Sequence, residues 1–113
     1  MNLVRIGDIE LASPICLSPM AGVSSLPFRV ICRSLGATYS PTELTSARSI
    51  RYNGIEKSMQ YMRIDPASEG ITAIQLFGSE PEDFTCAIER ILDDDRLNGV
   101  SMIDINMGCP VAK

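Results

Sequence analysis

The length, composition and charge of the chain exclude several classes of protein. It has 113 residues, of which 45% are hydrophobic and 5% aromatic, and a formal net charge of −4. This length suffices for one small domain with a modest core, and the apolar fraction is too high for a disordered chain. No apolar run approaches the ~18 residues of a membrane span, and the N-terminus lacks the pattern of a signal peptide. We therefore expect a cytoplasmic protein with no membrane partner.

The chain contains four cysteines and no histidine. The missing histidine excludes Ser–His–Asp and Cys–His catalysis within this chain, as well as a histidine-ligated metal. The cysteines form no CxxC pair, so no metal site is predicted, although two disulfides are an alternative in a secreted chain. Cys16, Cys32 and Cys86 lie in apolar runs and are predicted to be buried thiols. Cys109 follows a glycine at the end of a strand-like run and is predicted to be presented there.

Two apolar segments come first in the chain. Residues 3–6 and 9–12 flank the pair Gly7-Asp8, which is typical of a β-hairpin turn. Residues 15–20 form a short apolar run that predicts a buried strand. The hairpin is interpreted as an entry to the fold and not as a domain of its own.

The first helix is predicted over residues 26–35, with Ser25 as its N-cap and Gly36 as its C-cap. Its apolar residues recur at the spacing of an amphipathic helix, and they are Phe28, Ile31, Cys32 and Leu35. A weak second strand over residues 38–43 is interrupted by a proline. Residues 45–62 predict a loop followed by a short helix.

The second half of the chain carries the clearest elements. Residues 72–77 predict a strand, and residues 101–106 predict the last strand. Between them a helix is predicted over residues 80–93, with Ser79 as its cap and Glu82 completing a capping box.

Strands and helices therefore alternate, which requires a parallel sheet with right-handed crossovers. Glycines and prolines gather after the strand ends, where (β/α)8 barrels build their active sites. The predicted fold class is α/β: an N-terminal hairpin plus about four β/α units of a TIM (β/α)8 barrel. Since a whole barrel takes about 250 residues, residues 1–113 are interpreted as the N-terminal part of a truncated barrel domain, a fragment of about half. A complete four-stranded open α/β sheet is the alternative.

Four segments at the predicted strand ends carry a stronger signal together than singly. They are PMAGVSSLPFR (19–29), TELTSA (42–47), IQLFGSEPE (74–82) and DINMGCPVAK (104–113). In this combination the chain resembles the tRNA-dihydrouridine synthases. The resemblance implies an FMN-binding TIM-barrel oxidoreductase that reduces uridine to 5,6-dihydrouridine in tRNA, with NADPH as the hydride donor. The usual first motif of that family has Thr-Asp where this chain has Ser24-Ser25.

The resemblance also implies roles for individual residues. Cys109 matches the family's catalytic cysteine, the acid that protonates C5 of the uracil ring. A thiol is mostly protonated at neutral pH and can still give up its proton, which suits this task. Asn106 and Glu43 match substrate-binding residues of that family. The side chain of Asn106 suits this task, because an amide offers both a donor and an acceptor to a uracil edge. A capping asparagine and a solvated glutamate are the alternatives.

The cofactor residues implied by the resemblance lie in two of the segments. Pro19, Met20 and Ala21 match the part that lies against the isoalloxazine ring, where small and polarizable residues pack well. Gln75 matches the glutamine that binds the flavin's pyrimidine edge. Its amide lies within an apolar strand and must be satisfied there, so a structural hydrogen bond is the alternative.

Other readings remain open at this point. One is an FMN barrel that acts on a free pyrimidine, as dihydroorotate and dihydropyrimidine dehydrogenases do. Another is a non-catalytic half-barrel that self-associates through exposed sheet edges. The family's later flavin ligands, a Lys and a His, and its helical tRNA-binding domain are absent from these residues. We therefore expect tRNA to be bound by the full-length protein, and the isolated chain to bind little FMN and to be inactive.

Overall fold

Two sheets organise the chain in the computed structural model, which describes residues 3–109. The smaller sheet is an antiparallel hairpin of β1 (Val4–Ile6) and β2 (Ile9–Leu11). Gly7 between them has a φ of 58°, a left-handed conformation that glycine adopts without steric cost. The predicted hairpin is confirmed. The last four residues of the fourth motif, 110–113, lie outside the described residues.

The larger sheet is parallel and carries the rest of the fold. It contains β3 (Thr45–Ser46), β4 (Ala73–Phe77) and β5 (Met102–Ile105), in the spatial order β3-β4-β5. The predicted parallel α/β arrangement is confirmed for these strands. Because the strands are parallel, their carboxyl ends meet at one edge of the sheet.

Five α-helices connect the strands within the described residues: α1 (Leu26–Ser34), α2 (Ala47–Asn53), α3 (Met59–Met62), α4 (Pro66–Glu69) and α5 (Pro81–Asp93). A 3-10 turn, Glu56–Ser58, leads into α3. The sequence predicts a loop where α2 lies, but the Ser46 hydroxyl caps this helix by accepting from the Ser49 N–H at 3.1 Å. No helix in residues 3–109 is long and apolar enough to cross a membrane.

The strand predicted over residues 15–20 is not formed. Two backbone hydrogen bonds link this segment to its neighbour, from the Thr38 N–H to the Ile15 carbonyl and from the Leu17 N–H to the Tyr39 carbonyl. They do not build a ladder, and Ile15 is exposed. The second strand is also displaced: Pro41 makes an isolated bridge to Ala73, and pairing resumes at β3. The described sheet therefore has three strands where the sequence predicts four.

The main core lies on one face of the larger sheet. Ile74 and Leu76 of β4 are buried against the helices α2 and α5, which pack against each other. The other core residues are Ala47, Ile50, Met59, Met62, Ala87, Ile91 and Leu97. Because side chains alternate along a strand, Gln75 lies on the opposite face of β4. That face carries the site described below.

The prediction that three cysteines are buried is wrong. Cys16 is exposed, and Cys32 and Cys86 are only partly buried; all are free thiols. Cys16 lies on the segment that forms no strand. On α5 the buried positions are Asp83, Ala87 and Ile91, and Cys86 lies beside that stripe.

The predicted cap of α5 is also wrong. The helix begins at Pro81, so its N-cap position is Glu80, and no side chain caps it. Ser79 lies one residue too early to reach the first-turn amides. Acidic residues at Glu82 and Asp83 interact favourably with the positive helix end instead, and Asp83 accepts a 2.8 Å hydrogen bond from Arg51 of α2.

Helix α1 presents its apolar side to solvent. Ile31 is 57% exposed and Leu35 82% exposed, whereas the buried residue of the helix is Arg29. The Arg29 side chain forms an ion pair with Glu69 of α4 at 2.8 Å, and both side chains are at most 5% exposed. This pair attaches α1 to the rest of the fold.

Candidate functional site

An open cavity of about 470 Å³ lies at the carboxyl ends of β4 and β5, beside the segment that precedes α1. This is the edge at which ligands bind in parallel α/β sheets. Six of the seven predicted site residues line this cavity, and Glu43 does not. The lining residues are Pro19, Met20, Ala21, Leu44, Gln75, Asn106, Met107, Gly108 and Cys109.

A buried hydroxyl helps to fix the wall that precedes α1, alongside backbone hydrogen bonds from the Val23 and Ser24 N–H groups to the Met20 carbonyl. The Oγ of Ser24 accepts from the Met20 N–H at 2.9 Å and donates to the Met20 carbonyl at 3.1 Å. The carbonyl of Ser24 in turn accepts from Nη1 of the buried Arg29 at 2.8 Å. The Arg29–Glu69 ion pair therefore supports the turn that carries Pro19, Met20 and Ala21. Ser24 was not predicted as a site residue, and its burial is a tertiary property.

Gln75 occupies the floor of the cavity with 5% of its surface exposed. Its Nε2 donates to Oδ2 of Asp104 at 2.6 Å, and its Oε1 accepts from Nδ2 of Asn106 at 3.3 Å. Its backbone N–H donates to the Thr42 hydroxyl at 3.1 Å. The structural hydrogen bond that was the alternative for Gln75 is therefore present. These contacts use one of the two amide hydrogens of Gln75, so the other amide hydrogen can still be donated to a ligand.

Asn106 shapes the turn that carries Cys109. Its Oδ1 accepts from the backbone N–H groups of Gly108 at 3.0 Å and of Cys109 at 2.9 Å. Side-chain acceptors of this kind stabilise tight turns after a strand. The backbone N–H of Asn106 continues the sheet by donating to the Leu76 carbonyl at 2.9 Å. Cys109 is exposed at the cavity wall, as predicted from its place after the strand.

Glu43 lies in an adjoining cavity of about 410 Å³, which shares Ala21 and Leu44 with the first. Its Oε1 accepts from the Gly22 N–H at 2.6 Å, so the carboxylate holds the same turn from the other side. Lys57 and Tyr61 also line this second cavity. The structure thus places Glu43 next to the other predicted residues and not among them.

Asp104 and Tyr39 are the residues near the site that sequence reasoning missed. Burial raises the pKa of Tyr39 above its ordinary value of 10.0, and the neighbouring Cys16 and the negative charge of Asp104 raise it further. Tyr39 is therefore a neutral phenol at physiological pH. A signal for Asp104 did exist, because it lies two residues before Asn106 and strand alternation puts both on one face.

A family model described as dihydrouridine synthase (Dus) matches residues 16–113. The chain belongs to the dihydrouridine synthase family. This confirms the family inferred from the four sequence segments. No solved structure matches the chain.

Curated relatives are similar to almost the whole chain. Three of them, each a tRNA-dihydrouridine synthase B, are 38% identical over 111 residues (Xanthomonas axonopodis pv. citri), 36% over 110 residues (Vibrio parahaemolyticus serotype O3:K6) and 33% over 110 residues (Escherichia coli K12). Each alignment covers 97% of this chain but only 31% or 32% of the relative. The chain therefore spans about a third of the length of the curated relatives that it matches.

Proposed function

We propose that these residues form the N-terminal part of an enzyme that reduces uridine to 5,6-dihydrouridine in tRNA. The observation that carries the proposal is the convergence of six predicted site residues on one cavity, in a chain that belongs to the dihydrouridine synthase family. The relatives bear the name of this activity. The family favours this reading over a dehydrogenase that acts on a free pyrimidine.

The proposed architecture is the N-terminal part of a TIM barrel, with residues 1–113 belonging to one catalytic domain. Three parallel strands and the location of the cavity at their carboxyl ends support it. Two hydrogen bonds between residues 15–17 and 38–39 hold the segment predicted as the first barrel strand beside the segment that precedes β3, although no strand forms there. The greater length of the relatives leaves room for the remaining strands.

The cavity has the chemistry expected of a site for FMN. Pro19, Met20 and Ala21 form an apolar wall held in a fixed turn, which suits contact with a flat ring. Gln75 can donate to the flavin the amide hydrogen that its contacts with Asp104 and Asn106 do not use. FMN, reduced by NADPH, supplies the hydride for C6 of the uracil ring when it is bound.

Cys109 is proposed as the acid that holds the proton destined for C5 of the uracil ring. Its thiol is exposed at the cavity wall, and the turn that carries it is fixed by Asn106. A fixed turn keeps the thiol at a defined distance from a bound base, as general acid catalysis requires.

Asn106 is proposed to bind the target base. Its hydrogen bonds within the protein limit which of its polar atoms can contact that base. Both lone pairs of its Oδ1 serve backbone N–H groups of the turn, and one hydrogen of its Nδ2 goes to Gln75. The described contacts leave one N–H for a ligand. Asn106 would therefore act as a donor to a uracil carbonyl. Glu43 is proposed to contact the substrate from the adjoining cavity.

Purified full-length protein that contains this sequence tests the proposal. With FMN, NADPH and an unmodified tRNA transcript, we expect uridine to gain two mass units, and Cys109→Ala to abolish most of this gain. Cys86→Ala is the control, because Cys86 lies on α5 away from the cavity and should leave the reaction unchanged. Reduction of free uracil in preference to tRNA would support the free-pyrimidine enzyme instead.

We also propose that the 113-residue chain self-associates and retains little FMN when it is isolated. The edges of a three-stranded sheet and the apolar side of α1 support association. Met107 in the cavity wall is 93% exposed, so the cavity gives a ligand little enclosure. Sedimentation at micromolar concentration should show dimers or larger species. A stable monomer, or a purified chain that carries flavin absorbance, would contradict these expectations.

A further inference from the structure

Asp104 is hydrogen-bonded to Gln75 of the cavity and is assigned no chemical role in the function proposed above. It is paired in register with Gln75 across β4 and β5, so the two side chains lie on the same face of the sheet. Its Oδ2 accepts from Nε2 of Gln75 at 2.6 Å, a short, charge-assisted hydrogen bond. Among the residues that the structure describes, this contact starts a series of hydrogen bonds that reaches Cys109.

The series has a direction, because each member fixes the orientation of the next. A carboxylate can only accept, so Gln75 must present its NH2 group to Asp104. The side-chain carbonyl oxygen of Gln75 then faces Asn106, so Asn106 must donate to it from its own NH2 group. The carbonyl oxygen of Asn106 is left to face the N–H groups of Gly108 and Cys109.

Packing alone cannot supply this direction. The oxygen and nitrogen of a side-chain amide have nearly the same size and shape, so a flipped amide fills the same space. A flipped Asn106 would put an NH2 group against two backbone N–H donors, and the turn would lose both hydrogen bonds. The series has two ends that each admit a single orientation: the carboxylate of Asp104 can only accept, and the backbone N–H groups of the turn can only donate. Asp104 is the side chain among its members that cannot be flipped.

We propose that Asp104 is a positioning residue whose carboxylate sets the orientation of the Gln75 and Asn106 amides and, through them, the turn that carries Cys109. The consequence for uridine reduction rests on the proposed function. The orientation of the turn does not depend on it and can be measured separately.

Amide hydrogen exchange in the full-length protein, measured by NMR, tests the proposal. Asp104→Asn keeps the shape of the side chain but can present either an oxygen or an NH2 group to Gln75. We expect the backbone amides of Gly108 and Cys109 to exchange about 2- to 10-fold faster, the effect of weakening hydrogen bonds of ordinary net strength. Asp95→Asn, an exposed aspartate of the turn after α5, is the matched control and should change nothing.

Two further variants separate positioning from general destabilisation. Asp104→Glu keeps an acceptor-only group and should restore part of the protection. In a Gln75→Leu background, Asp104→Asn should add no further acceleration, because the series is already interrupted. The amide of Leu76 in β4 reports on the sheet and should be unaffected by Asp104→Asn.

Wild-type exchange at Gly108 and Cys109 in Asp104→Asn would overturn the proposal. So would an equal acceleration at Leu76, since that would show a role in the sheet as a whole. If the turn loosens as expected but wild-type protein reduces no uridine, the positioning role stands and the proposed function fails. If the turn loosens in Asp104→Asn and the wild-type protein does reduce uridine, Asp104→Asn should lower kcat more than it raises KM.

Discussion

The ion pair between Arg29 and Glu69 gives the most quantitative prediction. Its side chains are 2% and 5% exposed, and Arg29 also donates to the carbonyls of Ser24 at 2.8 Å and Arg63 at 2.6 Å. Glu69→Ala would leave the guanidinium buried without its counter-charge, although two carbonyl acceptors remain. Removing one partner of a buried ion pair costs about 3–5 kcal/mol, a large part of the roughly 5–15 kcal/mol that stabilises a typical protein.

The chain contains a matched control for this change. Arg5 and Glu10 form the same type of pair at 2.9 Å, but their side chains are 62% and 48% exposed. Exposed pairs contribute at most about 1 kcal/mol, so Glu10→Ala should have little effect. The two ion pairs differ in burial, whereas their N···O distances are nearly equal.

Urea unfolding followed by far-UV circular dichroism measures both free energies, since the chain has no tryptophan for fluorescence. All variants are compared at one protein concentration because association adds to stability. Replacing both partners, as in Arg29→Met with Glu69→Leu, should be less harmful than Glu69→Ala alone, because no unpaired charge stays buried. Equal losses of unfolding free energy for Glu69→Ala and Glu10→Ala, within about 1 kcal/mol, would show that burial does not determine what these ion pairs contribute.

Two other predictions concern the site wall and the surface. Ser24→Ala should lower the free energy of unfolding by about 1 kcal/mol in the same assay, because the backbone N–H and carbonyl of Met20 both lose the hydroxyl as a hydrogen-bond partner. An unchanged free energy of unfolding would show that the turn does not need this hydroxyl. Arg96 lowers the pKa of Asp94 and Glu56 by side-chain hydrogen bonds. Because their pKa values are lower in the folded protein, the two ionised carboxylates stabilise the fold at pH values above their ordinary pKa values of 3.8 (Asp94) and 4.5 (Glu56). This stabilisation is lost as the pH falls through the lowered pKa values. The difference in Tm between wild type and Arg96→Met should therefore be largest above about pH 5 and shrink below about pH 4; a constant difference would contradict this.

The site was more predictable from sequence than the packing around it. The family resemblance indicated Gln75, Asn106 and Cys109. The place of Gln75 within an apolar strand, and of Cys109 after a glycine at a strand end, supports these assignments independently. Parallel pairing then brings these positions together, because it aligns the carboxyl ends of the strands. Topology explains why these residues converge, whereas their selection and their roles came from the family resemblance.

Burial of charged and polar groups could not be predicted in this way. Arg29 lies on an amphipathic helix whose apolar side is exposed, and its burial depends on Glu69, which is 40 residues away. Asp104 acquires its importance from a cross-strand neighbour that is 29 residues away. Cys16 was expected in a buried strand that does not form. These properties depend on long-range contacts, which hydrophobic periodicity does not encode.

The proposed catalytic role of Cys109 in the reduction of tRNA uridine can be tested in living cells. The most direct test is the dihydrouridine content of tRNA, measured by mass spectrometry, in cells that lack the gene and every related synthase. We expect the wild-type gene to restore dihydrouridine at defined positions and an equally abundant Cys109→Ala protein not to restore it. Full restoration by Cys109→Ala, or no dihydrouridine with the wild-type gene, would contradict it.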